Sequence, residues 1–256
     1  MKGATHAAIL CGGGGERLRP SRDRFKRLMT PIGPKRLPVL AYIVKLMTYY
    51  GITDVALLTG YRSEDIKSFF GDGERFGAAL AYSEGPEDLG SLNAVANGLR
   101  NGAIGDCDEL LVYQGDAVAD LDIAALLGAH RRTGADATLV LSRGYALPVG
   151  TAEVEGWKVK SFKEKPLLDM SVATGCMVVG PAGMAMVSRL AGHKRTDLMT
   201  DFVPELLRTG GNVSAYQTKR EWHDIGTLNG LERLDKELSA RPPSFMTNNG
   251  PHAQTD

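Results

Sequence analysis

The chain has 256 residues, 43% of them hydrophobic and 23% charged, the length and make-up of one sizeable globular domain. Its 30 Lys and Arg balance 30 Asp and Glu, so there is no summed positive field to recruit nucleic acid or an anionic membrane, and no apolar run is long enough to cross a bilayer. Cys11, Cys107 and Cys176 are widely spaced and form neither a disulfide framework nor a CxxC pair; with no apolar leader and cleavage site at the N-terminus, they predict a reducing, cytoplasmic setting.

Residues 6–10 form a short apolar run stopped by glycines, the pattern of a buried strand entering a tight loop. Val39, Leu40, Ile43, Val44, Leu46, Met47 and Tyr50 then recur at helical spacing up to Gly51. A second buried strand is expected over 54–59, a short helix capped by Ser63 over 63–70, a third strand over 78–82, and a helix capped by Ser91 running to Leu99. A fourth apolar run, 109–113, ends at Gly115-Asp116, and 122–132 reads as a helix with Ile123, Leu126 and Leu127 on its apolar face. This alternation implies a parallel, doubly wound sheet.

After Ala135 the rhythm changes to strand-like runs at 137–141, 151–155, 158–162 and 176–179 with little helix between them, an α+β pattern. Helices follow at 184–191 and 201–208, a strand at 213–216 and a last helix at 228–238. From Ala240 the chain carries Pro, Asn, Gly and polar residues, which predicts a disordered tail over 240–256 behind a single domain, 1–239.

Leu10-Cys11-Gly12-Gly13-Gly14-Gly15-Glu16-Arg17-Leu18-Arg19-Pro20 is the most informative segment. Four glycines after a strand let backbone N–H groups approach a ligand that side chains would block, and such amides suit phosphate. Arg17 and Arg19 add positive charge where a polyphosphate would lie. The pattern is neither GxxxxGK[ST] nor a GxGxxG opening a helix. Asp116 falls where a parallel strand would end, the edge at which α/β proteins place ligands, and a carboxylate there can hold Mg²⁺ against phosphate oxygens.

From the glycine segment onward the chain resembles the sugar-nucleotide pyrophosphorylase family, the nucleotidyltransferases acting on sugar 1-phosphates. The opening is similar to LAGGxGTRLxPLT, with Cys11 in place of Ala and Glu16 in place of Thr or Ser. The family's phosphate-contacting lysine falls on Arg27 in an ungapped match and on Lys26 after a one-residue shift, and Lys35 matches the later GKP lysine. Residues 60–66 and 70–77 resemble GYxxExI and FGDGxxFG, and Asp88-Leu89-Gly90-Ser91-Leu92-Asn93-Ala94 resembles LGTAGAL, with Asn93 where a glycine is usual. Phe162-Lys163-Glu164-Lys165-Pro166 looks like FxEKP, and Trp222-His223-Asp224-Ile225-Gly226-Thr227 like WxDIGT. The motifs keep the family's order over about nine-tenths of the chain.

The resemblance implies a Rossmann-like doubly wound mixed sheet of the nucleotide-diphospho-sugar transferase type, with 1–135 mainly nucleotide-binding and a smaller α+β portion, 136–239, mainly sugar-phosphate-binding. It implies an enzyme that joins an NTP to glucose 1-phosphate or mannose 1-phosphate, giving an NDP-sugar and pyrophosphate. Nucleotide contacts are expected from Leu10, Gly12, Gly13, Gly14, Gly15, Glu16, Gly90, Ser91 and Gly115, and sugar-phosphate contacts from Gly150, Glu164, Lys165, Thr174 and Gly175. Asp116 and Asp224 would share a magnesium ion, with Arg17 and either Lys26 or Arg27 neutralising charge during transfer. Ala173 replaces an asparagine that many members carry. Two competing readings are a cytidylyltransferase for a non-sugar phosphate such as phosphocholine and a catalytically silent nucleotide-sugar-binding regulator. No nucleic-acid or membrane partner is expected, and the resemblance leans toward a homodimer. The five histidines show no metal-ligand spacing; His223 is expected to support Asp224 or lie exposed.

Overall fold

The computed structural model describes residues 4–12, 27–60, 63–85, 89–143, 147, 149–167, 169–218, 222–225 and 228–247. Its centre is strand β1 (Thr5–Leu10). A small ribbon, β2 (Pro31–Ile32) and β3 (Leu37–Pro38), leads into helix α1 (Val39–Tyr49). Then come β4 (Asp54–Leu58), α2 (Glu64–Phe70), β5 (Ala79–Ser83), α3 (Gly90–Arg100), β6 (Glu109–Gln114), β7 (Ala117–Ala119) and α4 (Ile123–Thr133). The second half holds β8 (Ala137–Ser142), the hairpin β9 (Thr151–Glu155) and β10 (Lys158–Lys163), β11 (Val172–Val179), and α5 (Pro181–Leu190). A π turn (Leu198–Phe202), α6 (Val203–Arg208), β12 (Val213–Thr218), β13 (Trp222–Asp224), α7 (Leu228–Ala240) and α8 (Ser244–Thr247) complete the order.

Seven strands form one mixed sheet in the order β12-β8-β11-β6-β1-β4-β5. β1 runs parallel to β4 and β6, β4 is parallel to β5, and β11 lies antiparallel to both β6 and β8. Alternate residues of β1 face opposite ways, as the two-residue period of a strand demands. Ala7 and Ile9 meet α1, α2 and α4 in one core, while Ala8 and Leu10 meet α3, α5 and α6 in the other. The sheet is therefore doubly wound, as its parallel half predicts. The chain steps from β1 outward to β4 and β5, then returns to place β6 on the other side of β1. That reversal makes the β1–β6 boundary the topological switch point, where an open α/β sheet leaves a crevice beyond the strands' carboxyl ends. The last paired residues there are Leu10 and Gln114.

Three local expectations are corrected. Ser63 precedes α2 but makes no capping bond, because its hydroxyl donates to Glu84 Oε1. Ser91 lies inside α3, which starts at Gly90, and its hydroxyl turns to another loop. The tail expected to lose order from Ala240 instead continues α7 to that residue and then forms α8, because Phe245 buries itself in the core beside α1. Lys35 Nζ donates to Met246 O across the same junction. Residues 248–256 lie outside the described ones. Asp122 does cap α4, accepting from Ala125 N at 2.9 Å.

The opposite end of the sheet carries a buried polar knot with no place in a substrate crevice. Glu109 accepts two hydrogen bonds from Arg131 and one from Thr5, and His130 Nδ1 lies 2.8 Å from Thr138 Oγ1. Burial pushes the Glu109 carboxyl up, but the bonds from Arg131 and Thr5 outweigh it, and the net shift is downward. Burial depresses the His130 imidazole below its ordinary 6.5. Below 6.5 the unfolded chain therefore binds a proton that the native state refuses, so stability falls as pH drops through that window. Glu109 contributes stability that is present above its ordinary 4.5 and lost as pH falls beneath it. Thermal melts between pH 7 and pH 5 should show Tm falling, and His130→Gln should flatten that slope.

Candidate active site

Both Cys11 N and Gly12 N donate to Leu58 O at 2.9 Å, which turns the chain sharply as it leaves β1. Gly115 N donates to Leu10 O at 3.1 Å, and a Cβ on Gly115 would stand only 2.8 Å from that same oxygen. A side chain there would pry β6 from β1, so glycine is what lets the turn into Asp116 stay against the end of β1. Leu28 packs against this turn, 3.3 Å from the same Cβ position. Its neighbour Arg27 has a buried Nε with no hydrogen-bond partner among the described residues. An orphaned guanidinium N–H is costly unless something accepts from it, and an anion is the natural acceptor. Gly13, Gly14, Gly15, Glu16, Arg17 and Lys26 lie outside the described residues.

The two aspartates expected to share a metal come from segments about a hundred residues apart. β13 pairs antiparallel with β7, setting Asp224 opposite Ala117, and Ile225 N donates to Asp116 O at 3.0 Å. Backbone pairing alone therefore places Asp116 and Asp224 one register step apart on adjoining strands. Carboxylate is the donor type magnesium takes, one or two at a time with phosphate oxygens and waters, and the backbone brings two residues of that type to this corner. Cys176 packs near Asp116. Burial, with that carboxylate adding to it, pushes the thiol up to about 12, so it is a neutral core group and no nucleophile.

A cavity of about 420 Å³ opens from Gly12 and is walled by Gly60, Gly85, Gly90, Asn93 and His193. Gly90 has φ +84°, and a Cβ there would meet Thr196 O at 2.1 Å. Ser91 donates to Asp197 Oδ2 at 2.7 Å and accepts from Leu198 N, so its hydroxyl is a stitch between α3 and the 192–198 loop. Asn93 reinforces the same seam. Its amide donates to Leu89 O, Lys194 O and Thr196 Oγ1 and accepts from Gly192 N. The side chain that replaces a glycine is thus a buried clamp holding the cavity wall. Asn93→Ala should cost about 1–3 kcal/mol through the buried groups it orphans, a fall of roughly 2–12 °C in Tm by differential scanning fluorimetry.

The residues expected on the sugar-phosphate side divide into two groups. Gly150 and Glu164 meet at the root of the β9–β10 hairpin, where a Cβ on Gly150 would stand 2.9 Å from Glu164 Oε2. Lys165 follows with φ +45°, in the left-handed region. Thr174 is buried and donates to Val140 O at 3.0 Å while accepting from Cys176 N, so it shapes the register shift between Ala173 and Met177. Gly175, at φ +84°, leaves room for Gln114, whose Cγ would lie 2.6 Å from a Cβ there. Through Gln114 this bulge adjoins Gly115 and Asp116. Sequence reasoning missed Gly60, Gly85 and His193 as cavity walls, although Gly60 and Gly85 follow strand ends and could have been suspected on that ground. The side chains of Trp222, His223 and Asp224 are not described.

Residues 6–241 match the family model described as nucleotidyl transferase. The chain is 30% identical over 241 residues to the UTP–glucose-1-phosphate uridylyltransferase of Synechocystis, covering 87% of this chain and 60% of that protein. It is 31% identical over 247 residues to the mannose-1-phosphate guanylyltransferase of Mycobacterium tuberculosis, covering 92% of this chain and 66% of that one. It thus spans about two thirds or less of the length of both relatives. The solved structure of HddC from Yersinia pseudotuberculosis superposes with a TM-score of 0.71 at 19% identity, covering 91% of this chain and 99% of that one, which shows the shared fold.

Proposed function

Because the chain belongs to the nucleotidyl transferase family, we propose that it joins a nucleoside triphosphate to a sugar 1-phosphate, glucose or mannose 1-phosphate in type, forming a nucleotide sugar and pyrophosphate. The observation that carries this reading is the backbone ladder that sets Asp224 opposite Ala117 and bonds Ile225 N to Asp116 O, just past the end of β6 at the switch point. Both relatives bear names of sugar-1-phosphate nucleotidyltransferases.

The nucleoside lies in the cavity walled by Gly60, Gly85, Gly90 and Asn93, with its phosphates over Gly12 and the glycines that follow. A sugar-phosphate oxygen attacks the α-phosphorus in line, the bond from that phosphorus to the bridging oxygen breaks, and pyrophosphate leaves with the electron pair. The attacking phosphate monoester is already anionic at neutral pH, so no side chain need remove a proton. Magnesium bound by Asp116 and Asp224 would supply charge neutralisation at the phosphates. Arg27, or Lys26 beside it, and Arg17 supply the cationic side of the phosphate site, Lys165 meets the sugar phosphate, and Glu164 accepts from sugar hydroxyls. Three cysteines that form no disulfide among the described residues, two of them buried, suit work in the cytoplasm.

The test is pyrophosphate release with Mg²⁺, each of five NTPs and a panel of sugar 1-phosphates. Release that needs one NTP and one sugar phosphate supports the reading and names both substrates. Tight nucleotide-sugar binding with no release from any pair would overturn it in favour of a silent binding protein.

A further inference from the structure

β11 lies antiparallel to both β6 and β8, so β8 runs with β6 and β1 and ends at the same edge of the sheet as Leu10 and Gln114. The β9–β10 hairpin is inserted between β8 and β11 and therefore springs from the rim of the crevice. Its ladder sets Phe162 opposite Ala152 and Lys163 opposite Thr151, and the same register carried one pair further sets Glu164 opposite Gly150. Residues two apart on a strand share a face, so Phe162 and Glu164 look out from one side of the hairpin and Lys163 from the other. The space above Gly150 shows how close the first two come. A Cβ built there would stand 2.4 Å from Phe162 Cζ and 2.9 Å from Glu164 Oε2, so a ring edge and a carboxylate oxygen converge on the glycine. The ring is nonetheless 64% exposed.

We propose that Phe162 contacts the substrate: its ring is the platform on which the pyranose of the sugar 1-phosphate stacks, while Glu164 accepts from the hydroxyls at the pyranose rim. The two groups match the two kinds of surface a pyranose presents. Its faces carry C–H groups that are apolar and slightly positive, which suits the negative face of an aromatic ring, and its rim carries O–H donors, which suit a carboxylate. Glycine at position 150 follows from the same arrangement, because any side chain would fill the corner between ring and carboxylate. A quaternary ammonium also favours an aromatic face, but such groups are held by cages of several rings. The other aromatic among the described residues of the hairpin, Trp157, lies in the turn at the far end of the arm. The inference rests on the proposed function for the phosphate that anchors the sugar, and it assigns a further contact to the sugar itself.

Phe162→Leu keeps an apolar side chain and removes the aromatic face, whereas Phe162→Tyr keeps the face. Phe162→Leu should raise KM for the sugar 1-phosphate about three- to tenfold, with KM for the NTP and the Tm at their wild-type values, and Phe162→Tyr should restore the wild-type KM. Saturation-transfer NMR with the sugar 1-phosphate alone reads the contact without turnover: transfer to the sugar C–H protons should be strong with the wild type and Phe162→Tyr and weak with Phe162→Leu. A wild-type KM in Phe162→Leu, a Phe162→Tyr enzyme no better than Phe162→Leu, or phosphocholine bound in preference to every sugar 1-phosphate would each overturn the proposal. Ring-dependent transfer without pyrophosphate release from any pair would overturn the proposed reaction and leave the platform standing. Pyrophosphate release indifferent to the ring would do the opposite, and no binding of any sugar 1-phosphate would overturn both.

Discussion

Asp116→Asn or Asp224→Asn should lower pyrophosphate release by about 10³-fold or more, with the Tm of the ligand-free protein unchanged. The stability side of this expectation follows from where the strands get their hold. Ile225 N bonds the carbonyl of Asp116 and not its side chain, so the β7–β13 contact survives an amide at either position. The kinetic side follows from the chemistry. Transfer between two anions depends on concentrated positive charge, and an amide is a far poorer magnesium ligand than a carboxylate. The loss should therefore appear mainly in kcat, with a raised Mg²⁺ requirement. Asp65→Asn, on the exposed face of α2, serves as the matched control. Full turnover in Asp116→Asn would remove the observation on which the proposed function stands.

Gly90→Ala should be the most damaging single methyl in the wall of the Gly12 cavity. The residue sits at φ +84°, which costs a side chain roughly 1–2 kcal/mol, and the new Cβ would press to 2.1 Å from the carbonyl oxygen of Thr196. A backbone oxygen cannot rotate aside as a side chain can. The Thr196 segment must move bodily, adding about 1–3 kcal/mol of overpacking, for a combined fall in Tm of roughly 5–15 °C. The same segment bonds Leu89, Leu92 and Asn93 and carries Gly192 and His193 on the cavity wall. KM for the NTP should consequently rise by more than kcat falls. A Tm within about 2 °C of the wild type would mean that the loop is not held where these bonds place it.

Much of the architecture was legible because it is local. The strand at 109–113, the helix at 122–132 and the α1 periodicity follow from short-range pattern and match the observed elements to within a residue or two. Ser63 and Ser91 misled for a common reason: a hydroxyl before a helix looks like a cap until a distant acceptor, Glu84 or Asp197, competes for it. Phe245 misled differently, since one aromatic anchor among polar residues outweighs a composition that otherwise reads as disordered.

By itself, the sequence determined which residue types were available for phosphate and metal chemistry, because a glycine run after a strand and aspartates at strand ends are spacings along one chain. Only the tertiary structure decided which of them meet. Asp116 and Asp224 become neighbours through the β7–β13 ladder, the Thr174 hydroxyl bonds Val140 O, and Asn93 becomes a clamp because the 192–196 loop folds over it. Each depends on a contact between residues tens of positions apart, and such contacts are set by how the two cores pack against the sheet, which no local pattern encodes.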